Sequence, residues 1–530
     1  MFEAGMVRGA ASGMMCSYNA ENGVPSCANG ALMNDLMRQQ WGREDAVITS
    51  DNGAVRNLRG APAFAPSDAA AAAWALNNGT DINDGSVFPA LPEAVRSGLT
   101  DVATIDRALR RALTQLFAAG LFEPDASSVS WTRVPASAIN STAHQRANLD
   151  AARQSFVLLA NNGSLLPLAA MGRRHVAVIG PQAEGTASLL SDYASEQPCA
   201  DGSYECIVSI ADAVRREVLH GHAGSVVSSA PGVDINSDRR EGIPHALSLA
   251  AAADVVILAL GIDKSVEGEG HDRPTSRLPG RQEEFARRVL ALGKPTVAVL
   301  VNGGALAIDP FLGVAAGAGG LAGGGVAPPA AFALVEAFNP NLIGATALVE
   351  LLFGHVNTWS KLPYTMYPSA FDALQPTDNY DMSAPPGRTY RYWTGPEPLF
   401  AFGHGLSYTQ FALHCHAAPH GGAAVPLPTA YQCAVTNTGA VRGDEVVMLY
   451  HRPTDGVRQA ANHTLPLRRL IGFERVSVSP GATSPPLTFE LTRDMLTLTT
   501  ATGGSRLYPG RHELVFSRGH GREEIFSVTV

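Results

Sequence analysis

The sequence predicts a multidomain chain in which two α/β regions precede a β-sandwich. Strand-like and helix-like segments alternate over residues 1–125, near-continuous apolar strands restart the alternation over 155–367, and short strands divided by turn residues fill 405–530. At 530 residues the chain is too long for one core, and about 150 residues per domain gives roughly three domains. An apolar share of 45% with 16% charged residues describes folded rather than disordered protein.

In the first region the segments are GMMCSYN, ALMNDLMRQQW, AVITSD, the Ala-rich 68–77 and TIDRALRRALTQLFAAG, whose Gly120 closes the last helix. Such units build a parallel sheet or a barrel. A full eight-unit barrel needs about 250 residues, so a barrel is expected here only in its last part. Residues 126–154, rich in Ser, Thr and Ala, read as a connector. The strands SFVLLANNGSLLPL, HVAVIGP, DVVILALG and TVAVLVN are apolar throughout, as required of a sheet covered on both faces. Residues 368–404 carry Pro, Gly and aromatics without periodicity and read as a linker packed on its neighbours. YQCAVTNTG, EVVMLY, LTFELT and HELVFS then supply the strands of the sandwich.

Composition narrows the function. A net charge of −9 and no basic run exclude a phosphate-binding stripe, so nucleic acid is not an expected partner. The uncharged span between Asp309 and Glu336 carries seven glycines and Pro328-Pro329; it reads as a flexible loop, neither a membrane span nor a dinucleotide-binding turn. The six cysteines fall in sequence-near pairs, Cys16 with Cys27, Cys199 with Cys206 and Cys415 with Cys433, which suggests three short-loop disulfides, with other connectivities and buried free thiols as the alternatives. With sequons at Asn78, Asn140, Asn162 and Asn462, they point to an extracellular or vacuolar protein, although MFEAGMVR is no signal peptide.

Two acidic sites stand out. AVITSDNGAV, residues 46–55, reads as a strand that stops at the carboxylate of Asp51 and then turns at Asn-Gly. A strand-end acid in a barrel lies at the face where such folds place their chemistry; the alternative is a helix cap or a turn. The second is IDKSVEGEGHDRPTSRLPGRQ, residues 262–282, directly after a strand. Its Glu267, Glu269, His271 and Asp272 are metal-ligand types, but interleaved glycines and Arg273 suit a mobile loop better, and no metal or other cofactor is expected.

The segments MMCSYNAENGVPSCAN (14–29), ITSDNGAV (48–55), SFVLLANNGSLLPL (155–168), EGEGHDR with LPGRQ, KLPYTMYP (361–368), PGRTYRY (386–392) and FGHGLSYTQF (402–411) resemble glycoside hydrolase family 3, most closely its β-xylosidase and α-L-arabinofuranosidase branch. TNTGAVRGDEVVMLY (436–450) and LIGFERV (470–476) resemble that family's fibronectin type III-like domain. The resemblance implies the C-terminal portion of a (β/α)8 TIM barrel over 1–125, an α/β sandwich domain over 155–367 and the fibronectin-like module over 405–530. It further implies an active site between the first two, Asp51 as catalytic nucleophile, and an acid/base from the loop SVEGEGHDR, with Glu267 the first choice and Glu269 the alternative. In a retaining mechanism one carboxylate attacks the anomeric carbon while a protonated acid about 5–5.5 Å away assists the leaving oxygen, then activates water. Tyr18, in CSYN, resembles the family tyrosine beside the nucleophile, where a phenol can orient the carboxylate; ordinary core packing is its alternative.

Two departures accompany the resemblance. The family's earlier sugar-holding strands precede anything in this sequence, so the chain alone is expected to show little glycosidase activity. Two cysteines common in the xylosidase-like branch are replaced by Asn52 and by Asp84 of TDINDG (80–85), which puts the outer sugar subsite in doubt. The expected activity is a retaining exo-glycosidase acting on β-xylosyl or α-L-arabinofuranosyl ends of plant-type oligo- or polysaccharides. A β-glucosidase or N-acetylglucosaminidase, or a non-catalytic glycan-binding remnant, is the competing reading.

Overall fold

The computed structural model describes residues 2–168, 174–194, 198–199, 201–221, 224–313, 325–376, 378–418 and 430–530. They fall into two compact units, Met1–Ile139 and Asn140–Val530. Residues 314–324, most of the stretch expected to be a glycine-rich loop, lie outside the described residues.

In the first unit, strand β1 (Gly13–Cys16) pairs in parallel with β2 (Val47–Ser50), Cys16 opposite Ser50, and a parallel bridge joins Thr49 to Ile82. Helix α1 (Asp68–Asn77) starts where the Ser67 hydroxyl accepts the Ala70 N–H, and its alanines pack without large side chains against the strands' support. Helix α2 (Val102–Ala118) is capped by the Asp101 carboxylate at its start. It ends at Gly120, whose φ of +77° lets the Leu121 N–H reach back to the Leu116 carbonyl at 3.1 Å. The disulfide Cys16–Cys27 ties the end of β1 to the segment that follows.

The second unit begins with a helix that composition did not reveal. Within the expected connector 126–154, α3 (Thr142–Arg153) forms behind a Ser141 cap. It fully buries none of its own residues, and only Leu149 and Ala152 pack against the core, an apolar edge too narrow to mark the helix in the sequence. Arg153 fixes it by a bidentate pair with Glu350, 2.6 and 2.8 Å. There follow β3 (Val157–Asn162), β4 (His175–Ile179), α4 (Ile210–Gly221), β5 (Val226–Ala230), α5 (Ile243–Ala252), β6 (Val255–Gly261), α6 (Gln282–Leu290), β7 (Thr296–Val301), β8 (Phe332–Phe338) and α7 (Asn341–Leu352). The six strands form one sheet in the order β3-β8-β7-β6-β4-β5, parallel except for β3. Alternate residues of each strand feed two cores: Val255, Ile257 and Ala259 enter one, Val256, Leu258 and Leu260 the other. Burial on both faces explains why these strands read as unbroken apolar runs.

Beyond two single-turn helices, Phe371–Leu374 and Thr389–Tyr392, come β9 (Phe411–Ala417), β10 (Ala430–Asn437), β11 (Gly443–Pro453), β12 (Arg469–Val478), β13 (Leu487–Glu490), β14 (Arg511–Ser517) and β15 (Glu524–Thr529). They form two antiparallel sheets, β9-β10-β13 and β12-β11-β14-β15, around one core. Along β10 the residues alternate, with Tyr431, Cys433, Val435 and Asn437 buried, the period-2 signature of a half-buried strand. Cys415 and Cys433 face each other across β9 and β10 and are bonded, as are Cys199 and Cys206 in the α/β part.

Candidate active site

In the first unit Asp51 stands at the carboxyl end of β2. Its N–H continues the parallel ladder to the Cys16 carbonyl at 2.9 Å, and its carboxylate accepts the Asn52 N–H at 2.7 Å. The chain turns immediately, because Gly53 adopts φ +73° and donates its N–H to the Asp84 carbonyl at 2.7 Å. The buried Ser50 hydroxyl accepts the Asp84 N–H at 2.9 Å, so the TDINDG loop is stitched to the strand end by backbone bonds. Asn52 and Asp84, the positions where relatives' cysteines were expected, thus sit in two directly bonded loops.

Beneath this turn lies an anchor that sequence reasoning missed. Asp81, 8% exposed, accepts Arg38 at 2.7 Å, Arg111 at 2.6 Å and the Ile48 N–H of β2 at 2.9 Å. One carboxylate so ties β2 to two helical segments with charge-assisted bonds. Burial lowers the affinity of the Arg38 guanidinium for its proton, and Asp81 works against that shift. A lone Asp in TDINDG carried no periodic or motif signal for this role.

Tyr18 is 46% exposed, which removes core packing as its explanation. Its phenol donates to the Asn52 carbonyl at 2.9 Å. The structure therefore brings Tyr18 to the backbone next to Asp51.

In the second unit Glu267 and Glu269 occupy the loop after β6. Gln282 holds both backbone groups of Gly261, at 2.9 and 2.7 Å, and fixes where the loop departs. A tight turn closes through reciprocal bonds between Gly268 and His271, 3.0 and 3.1 Å, with Gly270 at φ +70°. Glu269 is exposed at the tip of that turn, and its N–H donates to the Asp192 carboxylate at 2.7 Å. Glu267 is drawn inward instead. It is ion-paired with Arg273, which also donates to the Ala305 carbonyl at 2.8 Å, and it packs against Gly304 so closely that a Cβ there would lie 2.7 Å from both carboxylate oxygens. A cavity of about 350 Å³ opens beside the turn, lined among others by Asp192, Tyr193, Lys264, Glu267, Glu269 and Asn339. Among the described residues no three His, Cys, Asp or Glu side chains gather as metal ligands.

Behind the loop, Glu336 of β8 is fully buried and accepts the Tyr364 phenol at 2.8 Å and the Phe338 N–H at 3.1 Å. Burial pushes its carboxyl up to about 7, against the two hydrogen bonds. Neighbouring Asn302 donates to the Gly304 carbonyl at 2.9 Å, which sets the glycine against Glu267.

A six-stranded, mainly parallel α/β sheet followed by an antiparallel sandwich, with an acid-bearing loop at the carboxyl ends of the parallel strands, defines a modular α/β protein of the kind that binds ligands at that edge. Residues 156–408 match the glycosyl hydrolase family 3 C-terminal domain, and residues 445–518 match the fibronectin type III-like domain. The chain is 34% identical to a probable exo-1,4-β-xylosidase of Aspergillus fumigatus, over 98% of this chain and 65% of that protein, and 34% identical to an exo-1,4-β-xylosidase of Emericella nidulans, over 97% and 65%. Among solved structures, a family 3 exo-β-xylosidase in complex with a xylobiose aziridine probe matches with a TM-score of 0.84 and 28% identity, over 100% of this chain and 68% of that one. A β-glucosidase from Erythrobacter marinus matches with 0.82 and 28%, over 100% and 69%. The chain thus carries the C-terminal domain of glycoside hydrolase family 3 followed by a fibronectin type III-like domain, and it spans about 65% of the length of these curated relatives. Among the described residues no helix is long and apolar enough to cross a membrane.

Proposed function

We propose that the protein is a retaining exo-glycosidase that removes β-xylosyl or α-L-arabinofuranosyl ends from plant-type oligosaccharides, with Asp51 as nucleophile. The observation that carries this reading is the Asp51 carboxylate at the end of a parallel strand, in a chain aligned over nearly its whole length with proteins named exo-1,4-β-xylosidases. The parallel pair β1 and β2, with the bridge to Ile82, supports the first unit as the C-terminal part of a (β/α)8 barrel. Tyr18 holds the Asn52 carbonyl and so acts as a positioning residue for the nucleophile's turn. The three disulfides support an extracellular or vacuolar setting.

For the acid/base, the loop geometry favours Glu269 over Glu267. Glu267 is committed to Arg273 and wedged against Gly304, whereas Glu269 is presented at the exposed tip of a turn beside a cavity. In this assignment Glu267 positions the loop and Glu269 donates to the leaving oxygen, then serves as base for water. The test is hydrolysis of aryl β-xylosides by the native protein and its Asp51→Asn, Glu269→Gln and Glu267→Gln variants. Asp51→Asn is expected to abolish turnover. Glu269→Gln is expected to slow poor leaving groups far more than activated ones, with azide restoring rate. That signature in Glu267→Gln alone exchanges the two roles, and turnover surviving Asp51→Asn removes the mechanism. The similar β-glucosidase structure sustains a glucosidase reading, which a greater kcat/KM for aryl glucosides than for xylosides would favour.

A further inference from the structure

The four sequons of the chain occupy two kinds of place. In the first unit, Asn78 is completed by Thr80, which is fully buried and donates its hydroxyl to the Cys27 carbonyl at 2.9 Å. The Asn78 amide is committed as well. Its Nδ2 donates to the Trp74 carbonyl at 2.8 Å, and its Oδ1 lies so close to Gly30 that a Cβ there would be 2.7 Å away. A bulky group on that nitrogen would have to open this packing.

The other three sequons belong to the second unit and lie at the ends of elements. Asn140 directly precedes the Ser141 cap of α3, Asn162 ends the edge strand β3, and Asn462 follows the short helix Asp455–Ala461. All three asparagines are exposed, as are Thr142, Ser164 and Thr464, the hydroxyl residues that complete their sequons. Among the described residues none of these side-chain amides or hydroxyls makes a hydrogen bond. A left-handed backbone, φ +53° at Asn140 and +56° at Asn462, accounts for asparagine at those two positions. It does not account for a free hydroxyl two residues later at all three. An accessible amide with such a hydroxyl is what transfer of an oligosaccharide to asparagine requires. We propose that Asn140, Asn162 and Asn462 carry N-linked oligosaccharides and that Asn78 carries none. The donor is an oligosaccharide held on a lipid diphosphate. Asparagine Nδ2 forms a bond to C1 of the sugar, the C1–oxygen bond to the diphosphate breaks, and the nitrogen loses one proton as the lipid diphosphate leaves.

The inference rests on the extracellular or vacuolar setting proposed from the disulfides, and the reaction assigned to Asp51 has no part in it. In the test, the native full chain is digested with peptide N-glycosidase in heavy-oxygen water, which turns each glycosylated asparagine into a labelled aspartate, and the peptides are read by mass spectrometry. Label is expected at Asn140, Asn162 and Asn462, with Asn78 unmodified and the intact mass lower by three glycans. In a chain secreted from yeast, Asn140→Gln, Asn162→Gln and Asn462→Gln should each remove one glycan, whereas Asn78→Gln should remove none. Label at Asn78, or no label at any one of the other three, overturns the proposal. Unreduced peptides from the same digest separate the causes. An unlabelled chain with its three disulfides formed overturns the acceptor sites alone, whereas an unlabelled chain with free thiols removes the proposed setting as well.

Discussion

The strand end that carries Asp51 and the loop that carries Glu267 and Glu269 hold their acids in opposite ways. Asp51 is one residue beyond a hydrogen-bonded ladder, and its own bonds run to backbone, the Cys16 carbonyl and the Asn52 N–H, with the adjoining loops held by the Gly53 N–H, the Ser50 hydroxyl and the Tyr18 phenol. The two glutamates lie several residues beyond their strand, in a loop whose shape depends on Gly268, Gly270 and side-chain ties to Asp192 and Arg273. In the roles proposed for them, a nucleophile must meet one carbon along one line, which rigid backbone placement serves. A proton donor serves leaving groups of varied shape, and a loop allows adjustment.

That contrast is open to measurement. The largest effect is expected at the rigid side: Asp51→Asn should lower kcat of the native protein by at least about 10⁴-fold, read with an activated aryl xyloside. On the adjustable side Glu269→Gln should cost about 10²–10⁴-fold on poor leaving groups, so equal losses on good and poor leaving groups would break the contrast. Asp81→Ala should destabilise the first unit by about 3–5 kcal/mol, because it leaves Arg38 buried without its partner; urea unfolding followed by circular dichroism reads this directly.

Gly304→Ala places a methyl against Glu267 and Arg273 and should lower kcat/KM by about tenfold or more through displacement of the loop, with little change in thermal midpoint. The smallest effect concerns Glu336. Its folded form keeps the proton up to about pH 7, whereas an unfolded carboxyl releases it near 4.5. The stability it contributes is therefore fully present below the unfolded value and is lost as pH rises through about 7. The thermal midpoint of the second unit should fall across that window, and Glu336→Gln should flatten the fall.

How much of this was legible follows from where the restraints lie. Four of the six sheet strands (β3, β4, β6 and β7), the alternating β10, the Gly120 stop and the Asp51 turn were readable because they are local: burial on both faces, period 2, and glycines needing positive φ leave marks in adjacent residues; β5 was not read, and β8 falls largely within the span expected to be a loop. Helix α3 was not, since only Leu149 and Ala152 meet the core and Arg153 fixes it to Glu350, far along the chain. Asp81 and Asp192 escaped for the same reason, as their partners come from distant segments. The proposed preference for Glu269 over Glu267 rests on the contact of Glu267 with Gly304, which sequence order does not encode.

The parallel arrangement of β4, β6, β7 and β8 has one further consequence. Because all four strands run the same way, every loop leaving their carboxyl ends emerges along a single rim, while the helices return beneath. Insertions along that rim can remodel what the protein grips without disturbing the packed layers below, so diversification of preference within this lineage is cheapest there.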